Sequence, residues 1–408
     1  PYAAVTQANR YTFVFQLFLF GVGSGCGILF SQYWGKRDVS VMRQVMGLCL
    51  RLTLLLATAF AGLAIISPET VAGLFLPRGE SFGYAVDYLR IVAPGYFFAA
   101  VDIVFASCMK SAEKTHIPML AGVTSILLNT LLNYLLIYGK LGLPALGVKG
   151  AAIATLASGF TAMTIDLAAS YRLRLPSAAR WHELRLPDRA TLRRFLLLIL
   201  PVVANEGLWS MGTAMYNVFY GRLGDASVAA VGIVGTVDQL LLVLIYGIMN
   251  AYAILVGGHL GAGDRDGAWL TAKRMMAACV ACGIVMGVIQ FVGRGALISI
   301  FRVSDEARAL AMTILAIGSF TIWLRAINSV TVVGILRSGG DTVFSMVLDT
   351  AALWLVGVPL VGIAAMVWGL PVWQVYLFTI TEEAIKAVIG LRRFRSKKWM
   401  NVLTERAA

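Results

Sequence analysis

The chain has 408 residues, of which 59% are hydrophobic and 13% charged, and its formal net charge is +13. A soluble domain carries about 25% charged residues, and so few charges cannot cover an apolar core of this size in water. The composition therefore excludes an ordinary soluble domain and indicates a membrane protein. The positive charge does not indicate nucleic acid binding, because the basic residues collect at the ends of apolar runs, as membrane topology predicts.

Eleven apolar runs are long enough to cross a bilayer, which takes about 20 residues of helix. They predict an all-α polytopic membrane protein. In chain order the predicted spans are Tyr11–Tyr33, Val45–Ser67, Tyr88–Met109, Ile117–Tyr138, Gly150–Tyr171, Phe195–Tyr220, Val228–Leu260, Met275–Gly293, Ala309–Leu336, Thr342–Trp368 and Val372–Leu391.

One long polar segment, residues 172–194, separates the fifth span from the sixth and contains seven arginines. Its arginines alternate with prolines and apolar residues, which predicts a cytoplasmic tether without a fixed pocket. The segment divides an N-terminal lobe, 1–171, from a C-terminal lobe, 195–391, and a basic tail follows at 392–408. Basic residues follow alternate spans and stay in the cytoplasm, so we expect the C-terminus inside and residue 1 outside.

The two lobes repeat each other. Ala3–Val5 matches Ala229–Val231 at an offset of 226, and Gly142–Pro144 matches Gly369–Pro371 at 227. A register held this long indicates an internal duplication. Matched spans are six apart, an even number, so the copies share one orientation. The span Phe195–Tyr220 has no partner in the first copy, and we therefore expect a further helix before the first residue, giving two bundles of six.

Several short motifs recur in order along the chain. They are Gly23–Gly27 with Ser31–Gly35, Pro144–Thr155, Tyr220–Gly224, Gly334–Asp341 and Ser396–Trp399. Together they resemble the multidrug and toxin extrusion (MATE) family of cation-coupled efflux transporters. The resemblance implies a V-shaped pair of six-helix lobes, alternating access, and export of amphiphilic, often cationic drugs or toxins driven by Na⁺ or H⁺ entry.

A lipid-linked saccharide flippase of the same superfamily is the alternative. It would need a cationic cavity for diphosphate headgroups, whereas the deepest charges here are mixed. An integral membrane enzyme would need a His, Asp and Glu cluster at one interface, and the sequence shows none. We therefore expect no catalytic residues, and no cofactor or metal other than the coupling ion. We expect a monomer in a bacterial cytoplasmic membrane, with lipid and small amphiphilic compounds as its partners.

Ionisable residues inside spans are costly and mark candidate functional sites. Glu206 lies eleven residues into its span, roughly 16 Å deep at about 1.5 Å per residue. Asp238 reaches a similar depth on the next helix. Two carboxylates near one another and facing a wet cavity can bind a hard cation or a proton. We predict the coupling site here, with a structural pair between Glu206 and Arg325 as the alternative; the family similarly uses an acidic residue on this helix.

The first lobe offers a second candidate cation site. Asn129 and Asn133 share one helix face at i, i+4, where some relatives carry Asn followed by Asp, and Thr155 is a weaker candidate ligand. Hydrogen bonding between helices is the alternative role for these groups. Asp102 and Asp349 are expected to be satisfied locally near the cytoplasmic side, and Asp166 is close enough to Arg172 to snorkel toward it.

The last span carries Glu382, Glu383 and Lys386 at i+3 and i+4 spacing, which favours an internally neutralised group. The five cysteines lie in apolar runs and are predicted to act as small buried hydrophobes. The substrate cavity has seven polar or aromatic candidates, namely Arg325, Asn328, Asp349, Trp209, Tyr216, Tyr246 and Tyr252.

Overall fold

The protein is described by a computed structural model that covers residues 2–74 and 79–404. The chain folds into two compact units, Pro1–Val203 and Ala204–Ala408. The first contains α1 (Tyr2–Gly35), α2 (Val39–Ile66), α3 (Pro68–Gly73), α4 (Glu80–Val92), α5 (Gly95–Ser111), α6 (His116–Tyr138), α7 (Val148–Arg172) and a 3₁₀ turn (Trp181–Leu184).

Helix α8 (Arg189–Arg222) crosses the boundary between the units, and the remaining helices belong to the second. Two of the later helices are extended or interrupted by π-helical turns. The second unit contains α9 (Asp225–Gly261), α10 (Arg265–Ser299), α11 (Asp305–Ser329) with a π-helix (Val330–Leu336), α12 (Thr342–Ala351), a π-helix (Ala352–Gly357), α13 (Val358–Met366) and α14 (Val372–Arg395).

Nine of the described helices are long and apolar enough to cross a bilayer, and the bent pair α4–α5 makes a tenth span. The bend of 48° follows Val92 and falls next to Pro94, where a proline removes a backbone donor from the helix. Helix α14 coincides with the eleventh predicted span, but its charged residues keep it outside the helices that are apolar enough to cross a bilayer by composition. The prediction of an all-α polytopic membrane protein is confirmed.

The duplication seen in the sequence is visible at helix starts. Asp38 caps α2 by accepting a hydrogen bond from the backbone N–H of Val41. Asp264, 226 residues later, caps α10 by accepting one from the N–H of Gly267 at 2.8 Å. The same turn therefore opens the corresponding helix in both units. The Gly267 amide, aided by His259, holds the pKa of the Asp264 carboxyl below its ordinary value.

Each unit has an apolar core between its helices. In the first, the rings of Phe15 and Tyr96 lie 4.7 Å apart, and Phe60 packs beside them. In the second, Trp399 from the tail is fully buried against Phe394. Such buried aromatic side chains contribute a large share of the packing energy. They fix the helices on which the polar residues stand.

The cysteine prediction is corrected for two of the five cysteines. Cys26 on α1 and Cys49 on α2 are joined by a disulfide, with their Cα atoms 6.6 Å apart. Adjacent packing of the two helices brings them together, which the sequence separation of 23 residues does not indicate. Cys108 and Cys279 are free and buried, as expected for small hydrophobes.

The polar connector, predicted as a cytoplasmic tether without a fixed pocket, is docked on α2 of the first unit. Arg43 on α2 donates from Nη1 to Glu183 Oε1 at 2.6 Å and from Nε to the carbonyl of Pro176 at 3.1 Å. The Arg180 backbone N–H, together with Arg43, holds the pKa of Glu183 below its ordinary value. Gly47 gives the 3₁₀ turn room to approach α2 closely.

We expect Gly47→Ala to undock the connector, because an added Cβ would lie 2.5 Å from the carbonyl oxygen of Leu184. Limited trypsin digestion in detergent should then cleave at the exposed Arg180 and Arg185 several times faster than in the unmodified protein. Gly62→Ala on the same helix is the control, since its added Cβ meets no described atom within 4 Å. An unchanged cleavage rate in Gly47→Ala would show that this contact does not hold the connector.

Candidate functional site

Lys386 on α14 lies at the centre of three carboxylates in the second unit. Its Nζ is 2.7 Å from Glu382 Oε1, 3.3 Å from Asp349 Oδ1 and 3.5 Å from Glu383 Oε1. We call these four residues the carboxylate cluster. The Lys386 and Glu382 side chains are each only 5% exposed. The contacts expected from the α14 spacing are present, and α12 adds Asp349 as a third carboxylate.

Polar side chains from two further helices hold the carboxylates in place. Asn205 Nδ2 on α8 donates to Asp349 Oδ2 at 3.1 Å, and the Tyr216 hydroxyl on the same helix donates to Glu382 Oε2. Asn328 Nδ2 on α11 donates to the backbone oxygen of Glu383 at 2.7 Å and also to its carboxylate. The cluster therefore ties α8, α11, α12 and α14 together.

Gly357 makes one of these contacts possible. It ends the π-helix that joins α12 to α13, and a Cβ built on it would overlap both the Tyr216 hydroxyl and the Glu382 carboxylate. A π-helical turn of this kind is frequent at functional sites. Only a glycine leaves room for the Tyr216–Glu382 hydrogen bond at this position.

Glu206 pairs with Arg337 rather than with Arg325, which corrects the structural alternative predicted for it. Arg337 Nη1 lies 2.7 Å from Glu206 Oε1, and the arginine side chain is 3% exposed. The sequence places Arg337 at the cytoplasmic end of its span. The π-helix Val330–Leu336 immediately precedes it, and its i→i+5 bonding shifts the angular position of later side chains. Arg337 is therefore directed inward.

Asp238 belongs to a second ion pair. Arg325 Nη1 lies 2.5 Å from Asp238 Oδ2, and Gln290 Nε2 donates to Asp238 Oδ1 at 3.0 Å. The guanidinium also donates to the Tyr376 hydroxyl at 2.6 Å. Glu206 and Asp238 thus each pair with an arginine of their own. A cation site shared by the two carboxylates stays a prediction.

The amide candidates of the first unit bond mainly to one another and to α7. Asn133 Nδ2 donates to Asn129 Oδ1 at 2.9 Å, and Asn129 Nδ2 donates to Ser158 Oγ at 3.4 Å. The Thr155 hydroxyl donates to the carbonyl of Ala151 on its own helix at 3.0 Å. The Asn129–Ser158 bond is the hydrogen bonding between helices that the sequence left open. A cation role for these three residues stays a prediction.

The four aromatic candidates for the substrate cavity lie in different surroundings. Tyr216 contacts the carboxylate cluster, and Tyr252 packs against the core of the second unit. Trp209 and Tyr246 are 42% and 40% exposed on their unit. Sequence reasoning missed Asn205, Gln290, Arg337, Gly357 and Tyr376. A signal existed for Asn205, which directly precedes Glu206, and for Gln290, an isolated amide inside a span.

The carboxylate cluster has more acidic than basic side chains. Three carboxylates share one ammonium, so their ionised forms leave two negative charges unbalanced in the membrane interior. A proton or a monovalent cation would neutralise them. Within residues 2–74 and 79–404, no group of three or more His, Cys, Asp or Glu side chains is arranged to hold a metal ion by itself.

We expect Lys386→Met to lower the free energy of unfolding by about 3–5 kcal/mol, because it leaves the buried Glu382 and two partly buried carboxylates without their shared cation. Thermal unfolding in detergent measures the loss. Glu382→Gln added to this variant should recover part of it by removing one unpaired charge. The control is Lys398→Met, whose lysine is exposed in the tail. Equal stability of Lys386→Met and the control would contradict the assigned ion pairs.

Known proteins match this chain over most of its length. The MatE family model matches residues 1–135 and 201–387. The chain is 23% identical over 399 residues to the probable multidrug resistance protein NorM of Thermotoga maritima, covering 97% of this chain and 85% of that protein. It is 28% identical over 340 residues to the multidrug resistance protein PmpM of Pseudomonas aeruginosa, covering 80% and 70%.

A solved structure shows the same fold. The crystal structure of MATE in complex with MaL6 superposes with a TM-score of 0.87 at 20% identity, covering 97% of this chain and 89% of that one. The family model spans well over half of the residues. The chain therefore belongs to the MATE family, whose members are transporters and not enzymes.

Proposed function

We propose that this protein exports amphiphilic, often cationic compounds from a bacterium by alternating access, in exchange for Na⁺ or H⁺. Family membership supports drug export, and the relatives named above are described as multidrug resistance proteins. The antiport mechanism is our own inference from the charged residues of the second unit. The observation that carries it is the presence of three carboxylates within 3.5 Å of one buried lysine.

The excess carboxylates are the reason to place the coupling ion in this unit. Ionised groups in the hydrocarbon region are costly unless paired, and Lys386 can balance only one of its three partners. We include Glu206 in the proposed site as the carboxylate of α8, the helix whose Asn205 donates to Asp349. Arg337 balances Glu206. The whole group then has four carboxylates and two basic side chains, which favours uptake of a cation.

Ion binding can be linked to movement through α8. Asn205 and Tyr216 lie on this helix and both contact the carboxylate cluster. A ligand shifts a conformational equilibrium only by as much as its affinity differs between the two states. A cation that neutralises Asp349 or Glu382 weakens their hydrogen bonds to α8, so the position of α8 would differ between the loaded and empty states.

The flippase alternative is not supported by the charges of the second unit. A diphosphate headgroup requires basic side chains that are not already neutralised. Arg325, Arg337 and Lys386 each contact a carboxylate within 3.5 Å. The arrangement suits a cation better than an anionic lipid.

The distribution of basic residues supports a cytoplasmic location for the connector and for the tail, in agreement with the positive-inside rule. The tail contains Lys397 and Lys398 beyond the last helix. We propose that the protein works as a monomer in the cytoplasmic membrane with the C-terminus inside and residue 1 outside.

We expect Glu206→Gln to abolish coupled transport, because the variant keeps the shape of the side chain and fixes its charge at zero. Ethidium export from proteoliposomes under an imposed proton or sodium gradient is the measurement. The variant should fall to the level of liposomes without protein, whereas Glu206→Asp should keep part of the activity. Glu306→Gln, at an exposed carboxylate in the first turn of α11, is the matched control. Export by Glu206→Gln at the unmodified rate would refute the assignment.

A further inference from the structure

Two carboxyl groups face each other inside the first unit, far along the sequence from the carboxylate cluster of the second. Asp102 stands on α5 and Asp166 on α7, and their carboxyl groups are within hydrogen-bonding reach of each other. Asp166 is 1% exposed. The expected pairing of Asp166 with Arg172 is therefore wrong, since the side chain points across to α5.

These carboxyl groups lack ordinary partners. The Oδ1 atoms of Asp102 and Asp166 are both buried and, among the residues that the structure describes, neither accepts a hydrogen bond. The nearby Ser170 hydroxyl donates instead to the backbone oxygen of Asp166 at 2.7 Å. A buried acceptor without a donor is costly, so the pair requires a ligand that supplies one.

The surrounding charges do not neutralise the pair. In the described part of the first unit, Lys110 is the one basic residue whose charge attracts both carboxyl groups. It lies eight residues beyond Asp102 on the same helix, which is about 12 Å along the axis, and its side chain is exposed. Because the Lys110 side chain is exposed, water weakens the attraction of its ammonium for both carboxylates.

A cavity of about 410 Å³ reaches one member of the pair. It lies between α1 and α5, and water molecules each occupy about 30 Å³, so several would fit. Its walls are mostly apolar, and Asp102 is the acidic residue on them. The lining residues used here are Phe13, Gln16, Phe20, Asp102 and Ile103.

We propose that Asp102 and Asp166 form a proton-binding site that holds one exchangeable proton between them. Two like charges this close in a low-dielectric interior cannot both ionise. One proton converts the repulsion into an O–H···O hydrogen bond and supplies the missing donor. The proton enters and leaves at Asp102 through the cavity, while Asp166 stays enclosed. The site does not depend on the proposed coupling group, because all of its residues lie in the first unit.

Infrared spectroscopy of the purified full chain in lipid tests the site directly, because a protonated carboxyl has its own C=O stretching band. The spectrum of the unmodified protein minus that of Asp166→Asn should contain this band at neutral pH, and it should disappear in alkali. Asp102→Asn should give the same difference. Asp87→Asn is the control, since that carboxylate is exposed and pairs with Lys149, and its difference spectrum should lack the band.

Using two variants keeps the test valid if one of them misfolds. Either variant that remains monodisperse is sufficient to decide it. A difference band of one carboxylic acid per chain supports the site. Its absence with both variants at neutral pH would overturn the proposal, as would a band that persists unchanged in alkali. Neither result depends on ethidium export, so failure of this site is distinguishable from failure of the proposed function.

Discussion

Charge balance away from water is the constraint on which this structure depends. The second unit carries several carboxylates inside predicted spans, and each ion there is costly unless a partner is close. Glu206 and Asp238 each have an arginine of their own, but the three carboxylates around Lys386 do not. This imbalance is the physical reason for placing cation binding there, and the helices around it are held by hydrogen bonds to the same carboxylates.

The two units balance the charge of their buried polar groups in different ways. The second gathers several acidic and basic side chains into connected ion pairs. The first uses amides such as Asn129 and Asn133, which need no counter-ion, and one carboxyl pair, Asp102 and Asp166, with no basic partner among the described buried residues. A duplicated scaffold thus carries two different sets of polar groups. Helix starts such as Asp38 and Asp264 remain alike because they serve the fold and not the site.

Hydrophobic run length was sufficient to predict the helices, because lipid imposes about 20 apolar residues on every span. The spacing of Glu382, Glu383 and Lys386 was likewise sufficient, since a regular helix fixes which side chains meet at i+3 and i+4. Partners on other helices could not be predicted in this way. Arg337 follows the end of its predicted span, so the sequence indicates a cytoplasmic position. The π-helix before it turns its side chain toward Glu206, and composition gives no sign of a π-helix. The Cys26–Cys49 disulfide and the docking of the connector depend on packing between helices in the same manner.

We propose that the carboxylate cluster binds the coupling cation. The most direct test counts the protons or sodium ions taken up per chain by purified protein, comparing the unmodified chain with Glu383→Gln and with the exposed control Glu306→Gln. Glu383 is the suitable position because its side chain is the most exposed of the three carboxylates and Gln keeps a group that Asn328 can contact. We predict that Glu383→Gln loses about one bound cation relative to both other proteins. Equal uptake by all three would contradict it.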